Sequence, residues 1–128
     1  KDLQRILQLE PDNPTVQNAL GYTLLLHTER FEEAYALIQA ALNKEPDDPA
    51  ILDSMGWVLY KLGRFKEAIP YLEKAHTLYS DPEVSSHLIQ VYWATDQKEK
   101  ARSLLLKSRA SNPDNPFLEE ASQFINAE

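Results

Sequence analysis

Residues Asp48 to Ala75 read DPAILDSMGWVLYKLGRFKEAIPYLEKA, and this stretch decides the fold. Ile51, Met55, Val58, Leu59 and Leu62 recur at helical spacing in its first half, and Phe65, Ala68, Ile69, Leu72 and Ala75 in its second. Gly63 stands between them, where a reversing chain needs a residue tolerant of positive φ. The spacing predicts two amphipathic helices joined by a tight turn. Such helices are too short to be stable alone, and the hairpin buries one face of each. It needs neighbours on both sides.

The chain supplies them as copies. Four marks recur: Pro11-Asp12-Asn13-Pro14, Pro46-Asp47-Asp48-Pro49, Ser80-Asp81-Pro82 and Pro113-Asp114-Asn115-Pro116. Their last Pro advances from 14 to 49 to 82 to 116, steps of 35, 33 and 34 residues. A period of this length indicates a helical solenoid. Asp or Asn before Pro provides an N-cap, and Pro at the first helical position gives up no hydrogen bond. The expected organisation is a single domain over 1–128: the second helix of a leading partial repeat (1–13, with Leu3, Ile6 and Leu7 on its apolar face), repeats over 14–48, 49–81 and 82–115, and a C-terminal capping helix over 116–128.

The repeats differ in detail. The first turn, His27-Thr28-Glu29-Arg30, is one residue longer than the second. Asp96 stands where Gly63 does, and Asp tolerates the left-handed region better than most residues. Ile89 replaces the small Gly56 and is expected to push the third repeat's helices apart. Pro70 falls inside a second helix and is expected to distort it mildly near Lys66. In the tail, Phe117, Leu118, Ala121, Phe124 and Ile125 form one face, suited to covering the last repeat.

Composition narrows the function. Of 128 residues, 43% are hydrophobic, enough for a packed core. A net charge of -7 disfavours nucleic acid and anionic membrane surfaces as partners. The absence of Cys excludes disulfides and thiolate metal sites. No apolar run approaches transmembrane length, so direct membrane insertion by this chain is not expected. The chain opens Lys1-Asp2-Leu3 without an initiator Met, as a piece of a longer protein would. No HExxH, paired-His spacing or Gly-rich phosphate loop occurs, and Ser54 lacks a strand-to-helix elbow. His76 and His87 are close enough in the repeat order to meet across a boundary, but two histidines make a weak metal set. The expectation is no enzyme, no cofactor and no metal.

The repeats resemble the tetratricopeptide repeat (TPR) family. Met55-Gly56, Gly63, Phe65, Ala68 and Ala75 carry the resemblance in repeat two, and Leu20-Gly21, Phe31, Ala34, Ala41 and Pro46 in repeat one. Leu88, Ala101 and Pro113 carry it in repeat three, which departs at Ile89, Asp96 and Ser108. It implies an all-α, right-handed superhelical solenoid whose first helices line a concave face. The run DDPAILDSMGWVLYKLGRFKEAIPYLEKA is also similar to the C-terminal repeats of TPR lipoproteins of Gram-negative bacteria. Some of those act at the outer membrane as adaptors for periplasmic proteases. That implies a periplasmic scaffold, with a cytoplasmic location as the alternative.

By the family's arrangement, the residues facing the groove are Asn18, Tyr22 and Leu25; Asp53, Trp57, Tyr60 and Lys61; and Ser86, Gln90 and Trp93. Tyr22, Trp57, Tyr60 and Trp93 form an aromatic stripe there. Such side chains serve either as partner anchors or as packing between repeats. One TPR subclass holds a C-terminal carboxylate in a clamp of Lys, Arg and Asn. Here those positions carry Asn18, Tyr22, Ser54, Glu83 and His87, so that clamp is not expected. The groove is expected to take an apolar or aromatic peptide or helix, with Asp53 favouring a basic neighbour. The expected function is a protein-interaction scaffold. The alternatives are a self-assembly module, hence a possible homo-oligomer, and the non-catalytic arm of an enzyme outside the fragment.

Overall fold

The computed structural model describes residues 2–126, with side chains from Arg5 onward. Expectations for the Leu3 side chain and for residues 127 and 128 lie outside the described residues. Eight helices follow one another, with no strand among the described residues: α1 (Asp2–Leu9), α2 (Pro14–His27), α3 (Phe31–Lys44), α4 (Pro49–Lys61), α5 (Phe65–Leu78), α6 (Pro82–Ala94), α7 (Lys98–Ser111) and α8 (Pro116–Asn126).

Each recurring mark opens a helix for the same reason. The Asn13 carboxamide oxygen accepts from the Val16 N–H (3.2 Å), and the Asp48 carboxylate from Ala50 and Ile51 (2.9 and 3.2 Å). Asp81 accepts from Glu83 (3.0 Å) and Asn115 from Phe117 (2.9 Å). These bonds satisfy amide donors that the helix cannot pair internally. The second helices α3, α5 and α7 lack a side-chain cap. Their first turns carry Glu32 and Glu33, Glu67, and Glu99, which suit the positive end of the helix dipole.

The turns within repeats use three different devices. Gly63 has φ +81° and Asp96 has φ +63°, so both take the left-handed conformation. The longer first turn has no such residue. Instead Thr28 donates to the Leu24 carbonyl (2.6 Å) and accepts from the Arg30 N–H (3.0 Å). α5 continues through Pro70. Pro70 and Lys66 are both exposed, so water can satisfy the carbonyl that Pro70 leaves without a donor.

Packing within repeats depends on small residues. A Cβ on Gly56 would lie 2.4 Å from Leu72 Cγ, and one on Gly21 would lie 2.8 Å from Ile38 Cγ1. Ala34, Ala68 and Ala101 are fully buried on the facing helices. In the third repeat Ile89 occupies the glycine position and is itself fully buried. The α6–α7 hairpin is the most loosely paired of the three, as the larger side chain predicts.

Between repeats, α4 packs chiefly on α3, and α6 chiefly on α5. α8 breaks this rule. It lies mainly on α6 and only lightly on α7. Its buried residues are Leu118, Ala121, Ser122 and Ile125, so the expected tail face is rotated. Phe117 turns outward and Phe124 is half-buried, while Ser122 goes inside. With α8 in place, α6 is buried at every position from Val84 to Trp93. A helix buried through all phases of a 3.6-residue turn is surrounded on all sides.

Candidate functional site

The first helices α2, α4 and α6 meet at a concave pocket of about 570 Å³. Asn18 and Tyr22 reach it from α2, Asp53 and Ser54 from α4, and Glu83 and Val84 from α6. Tyr79, just past the end of α5, closes one side. The capping residues Asp48 and Asp81 complete the rim. The lining therefore holds four carboxylates and no lysine, arginine or histidine.

The electrostatics show how tightly this acidic set is held. The Tyr22 hydroxyl donates to Glu83, joining the first repeat to the third. Burial pushes the Tyr22 hydroxyl well above the ordinary tyrosine range, and the hydrogen bond to Glu83 adds to this. The charges of Glu83, Asp53 and Glu120 act in the same direction. Glu120 belongs to α8, so the charge of the last helix reaches the pocket's tyrosine. The Asn18 carboxamide oxygen is enclosed without a hydrogen-bond partner among the described residues.

Beside the pocket, Asp53 and His87 join at 2.8 Å. The indole of Trp57 stacks on the imidazole of His87 with centroids 4.0 Å apart and planes 17° apart. Tyr60 also stacks on Trp57, with centroids 4.7 Å apart, and Phe65 follows at 5.2 Å from Tyr60. Lys61 lies 5.3 Å from the Trp57 ring centre. At the far end, Lys98 and Arg102 lie 4.8 and 5.1 Å from the Trp93 ring centre.

The expected groove set is thus divided. Asn18, Tyr22 and Asp53 line the pocket. Tyr60 is half-buried and Lys61 exposed. Leu25, Trp57, Gln90 and Trp93 are 2%, 5%, 5% and 7% exposed, so of the aromatic stripe Tyr22, Trp57, Tyr60 and Trp93, the two tryptophans take the packing alternative. The physical reason is different for each helix. On α4, the Trp57 indole fills the junction with His87 of α6. On α6, Ser86, Gln90 and Trp93 belong to a helix that α4, α5, α7 and α8 surround together. His76 and His87 do not combine: His87 faces Asp53, while His76 lines a separate cleft with Tyr92. Among the described residues no group of three metal-ligating side chains occurs, and no helix is long and apolar enough to cross a membrane.

Sequence reasoning missed Tyr79 and the carboxylates of the rim as pocket components. Tyr79 lies beyond a helix end, where periodicity carries no information. Asp48 and Asp81 were legible as caps, but not as a shared charge.

Tetratricopeptide repeat profiles match residues 12–81 and 59–126, each more than half of the chain. The chain belongs to the tetratricopeptide repeat family. The TPR repeat-containing protein PA4667 of Pseudomonas aeruginosa is 45% identical over 88 residues. That match covers 69% of this chain and 15% of the relative, so the chain corresponds to a small part of that protein's length. Among solved structures, MamA AMB-1 superposes with a TM-score of 0.69 at 25% identity, covering 88% of this TPR chain and 62% of that one. A second crystal form of MamA AMB-1 gives 0.67 at 27%, covering 84% and 64%. The TPR array is accordingly a right-handed superhelical solenoid, and its general role is that of a protein-interaction scaffold.

Proposed function

We propose that this TPR array is an adaptor that holds a peptide segment of a protein partner in the concave pocket, with a basic side chain of that segment among the carboxylates. The observation that carries this reading is the lining itself. Asp48, Asp53, Asp81 and Glu83 converge on one pocket whose lining holds no lysine, arginine or histidine, and behind it His87 pairs with Asp53 alone. Tyr22, Tyr79, Pro49 and Val84 add the apolar and aromatic wall that a side-chain stem requires. The positions of a carboxylate clamp carry Asn18, Tyr22, Ser54, Glu83 and His87 here, without its lysine and arginine, and His87 is taken up by Asp53. The mechanism is complementarity of shape and charge without bond chemistry. Tyr60 and Lys61 extend the surface along α4, and Trp57 and Leu25 hold it in shape from beneath.

We place this adaptor in the bacterial envelope, serving a protease or another envelope complex on the periplasmic side. The support is the similarity of the Asp47–Ala75 run to the lipoprotein repeats. We also propose that the chain acts as one domain, divided into a partial repeat, three repeats and a cap at the proline marks.

The test is a random peptide library panned against the full chain. Enrichment of lysine- or arginine-containing peptides, with at least tenfold weaker binding to Glu83→Lys, supports the reading. Enriched peptides without basic residues, or binding that Glu83→Lys leaves unchanged, refute it.

Self-assembly is a second reading, favoured by the exposure of Ile6 and Leu9 on α1. Sedimentation over a range of concentrations separates a self-associating chain from a monomeric adaptor.

A further inference from the structure

α8 occupies an unusual place. α4 and α6 each stack mainly on the second helix of the preceding repeat, and α8 does not stack on α7 in this way. The α7 surface explains the difference. Where α3 and α5 present Tyr35 and Ile69, α7 presents Arg102, and where they present Leu42 and His76, it presents Arg109. An apolar helix gains little by burying two guanidinium groups. The loose α6–α7 hairpin, spread by Ile89, leaves α6 as the better seat.

The seat has the composition of an exchangeable interface. Ser86 and Gln90 on α6 are buried and hydrogen-bond to each other at 3.1 Å, and Ser122 on α8 is buried too. Such a surface tolerates water better than an aliphatic core does. Among the described residues, the side-chain bond from α8 to the array is Arg109–Glu119 at 3.2 Å, with both groups substantially exposed. A pair of this kind holds weakly. Leu118, Ala121, Ser122 and Ile125 follow the i, i+3, i+4, i+7 register with which an amphipathic helix anchors in a groove.

We infer that the side of α6 on which α8 packs is a helix-binding groove which α8 fills in cis, and that an amphipathic helix of a partner protein, with α8's own pattern of Leu, Ala, Ser and Ile, displaces it. The side of α6 that α8 occupies is covered in the resting chain and becomes available when α8 leaves. A tethered helix competes at high effective concentration, so the partner helix must bind the uncovered face tightly or act together with another site. This inference is independent of the basic-peptide reading, because the pocket can function with α8 permanently docked.

The test measures binding of a fluorescein-labelled peptide of residues 114–126 to the full chain by polarisation. Three proteins are compared: the natural sequence, Leu118→Asp, and a chain with a Gly-Ser insert of about twenty residues after Asn112, which dilutes α8 without altering its face. Leu118→Asp is expected to bind the peptide at least tenfold more tightly than the natural sequence, and the insert several-fold more tightly. A peptide carrying Leu118→Asp is expected not to bind. Hydrogen exchange in the Leu118→Asp chain is expected to be fast in α8 and slow in α2 to α6. Equal affinity for all three proteins overturns the inference. So does loss of protection throughout α2 to α6, because α8 would then be part of the array's core.

Discussion

The Asp53 carboxylate and the His87 imidazole Nδ1, 34 residues apart in the chain, lie 2.8 Å from each other across the junction of α4 and α6. Both side chains are more than nine-tenths buried. With a carboxylate as acceptor, Nδ1 must carry the proton and donate it. The pair links the second and third repeats by a buried polar bond, beside the Tyr92–Glu73 hydrogen bond, and Trp57 covers it.

Asp53→Ala is expected to destabilise the array by about 1–3 kcal/mol, because it leaves the His87 donor buried and unpaired. Asp53→Asn keeps a carbonyl acceptor and is expected to lose less. Urea denaturation monitored by circular dichroism distinguishes the two. Trp57→Ala should lose about 3–5 kcal/mol, as expected for a buried aromatic. Any loss of binding in that variant would therefore reflect structure, and Glu83→Lys is the cleaner probe of the pocket.

Gly56→Ala is expected to destabilise by about 1–3 kcal/mol, even though alanine is the better helix former. The new methyl would collide with Leu72 at 2.4 and 2.6 Å and press on the Ala68 carbonyl at 3.3 Å. Ile89→Ala, at the corresponding position in α6, is expected to lose about 2–5 kcal/mol for the opposite reason, a cavity. Chemical denaturation of both variants tests whether the third repeat has become dependent on a large side chain where the second tolerates none. A stabilised Gly56→Ala would contradict the packing described.

Asp96→Gly is expected to stabilise the chain by up to about 1 kcal/mol, because φ of +63° strains a residue that has a Cβ. Gly63→Ala has open space around the new methyl, so its loss should come from φ alone. Thermal melts of the two variants should shift in opposite directions.

Alkaline pH should weaken the fold. Burial raises the Tyr22 and Tyr92 hydroxyls above their ordinary value near 10, and hydrogen bonds to Glu83 and Glu73 add to the effect. Ionisation is therefore easier in the unfolded chain. The contribution of these groups is fully present below about pH 10 and is lost as pH rises beyond it. The urea midpoint should fall above that pH, and the combined Tyr22→Phe and Tyr92→Phe variant should flatten the fall. An unchanged slope in that variant would show that other groups are responsible.

Much of the fold was legible because repetition made each local signal count several times. Asp48 before Pro49 is an ordinary cap taken alone, but four such marks at nearly equal steps imply a solenoid. Ile89 and Asp96 were readable as departures from the pattern, and each has its expected local consequence. The site was less legible. Helical phase separates Trp57 from Met55 and Val58, but it does not reveal that a histidine from the next repeat stacks on the indole. Tyr79 carried no signal, since it follows the last turn of α5.

The sequence by itself determined the helices, their caps, their turns and the order in which repeats stack, because these depend on residues within one or two turns and on a period that repeats. Only the tertiary structure decided which groove residues stay open. That depends on how α6 meets α4, where His87 stacks on Trp57, and on where α8 settles; α8 chooses between two faces by long-range complementarity, a cationic face on α7 and a polar-apolar face on α6. It also decided that Asp48, Asp53, Asp81 and Glu83 share one pocket. Charges from helix starts in separate repeats converge only when the superhelix brings those starts to the same concave rim.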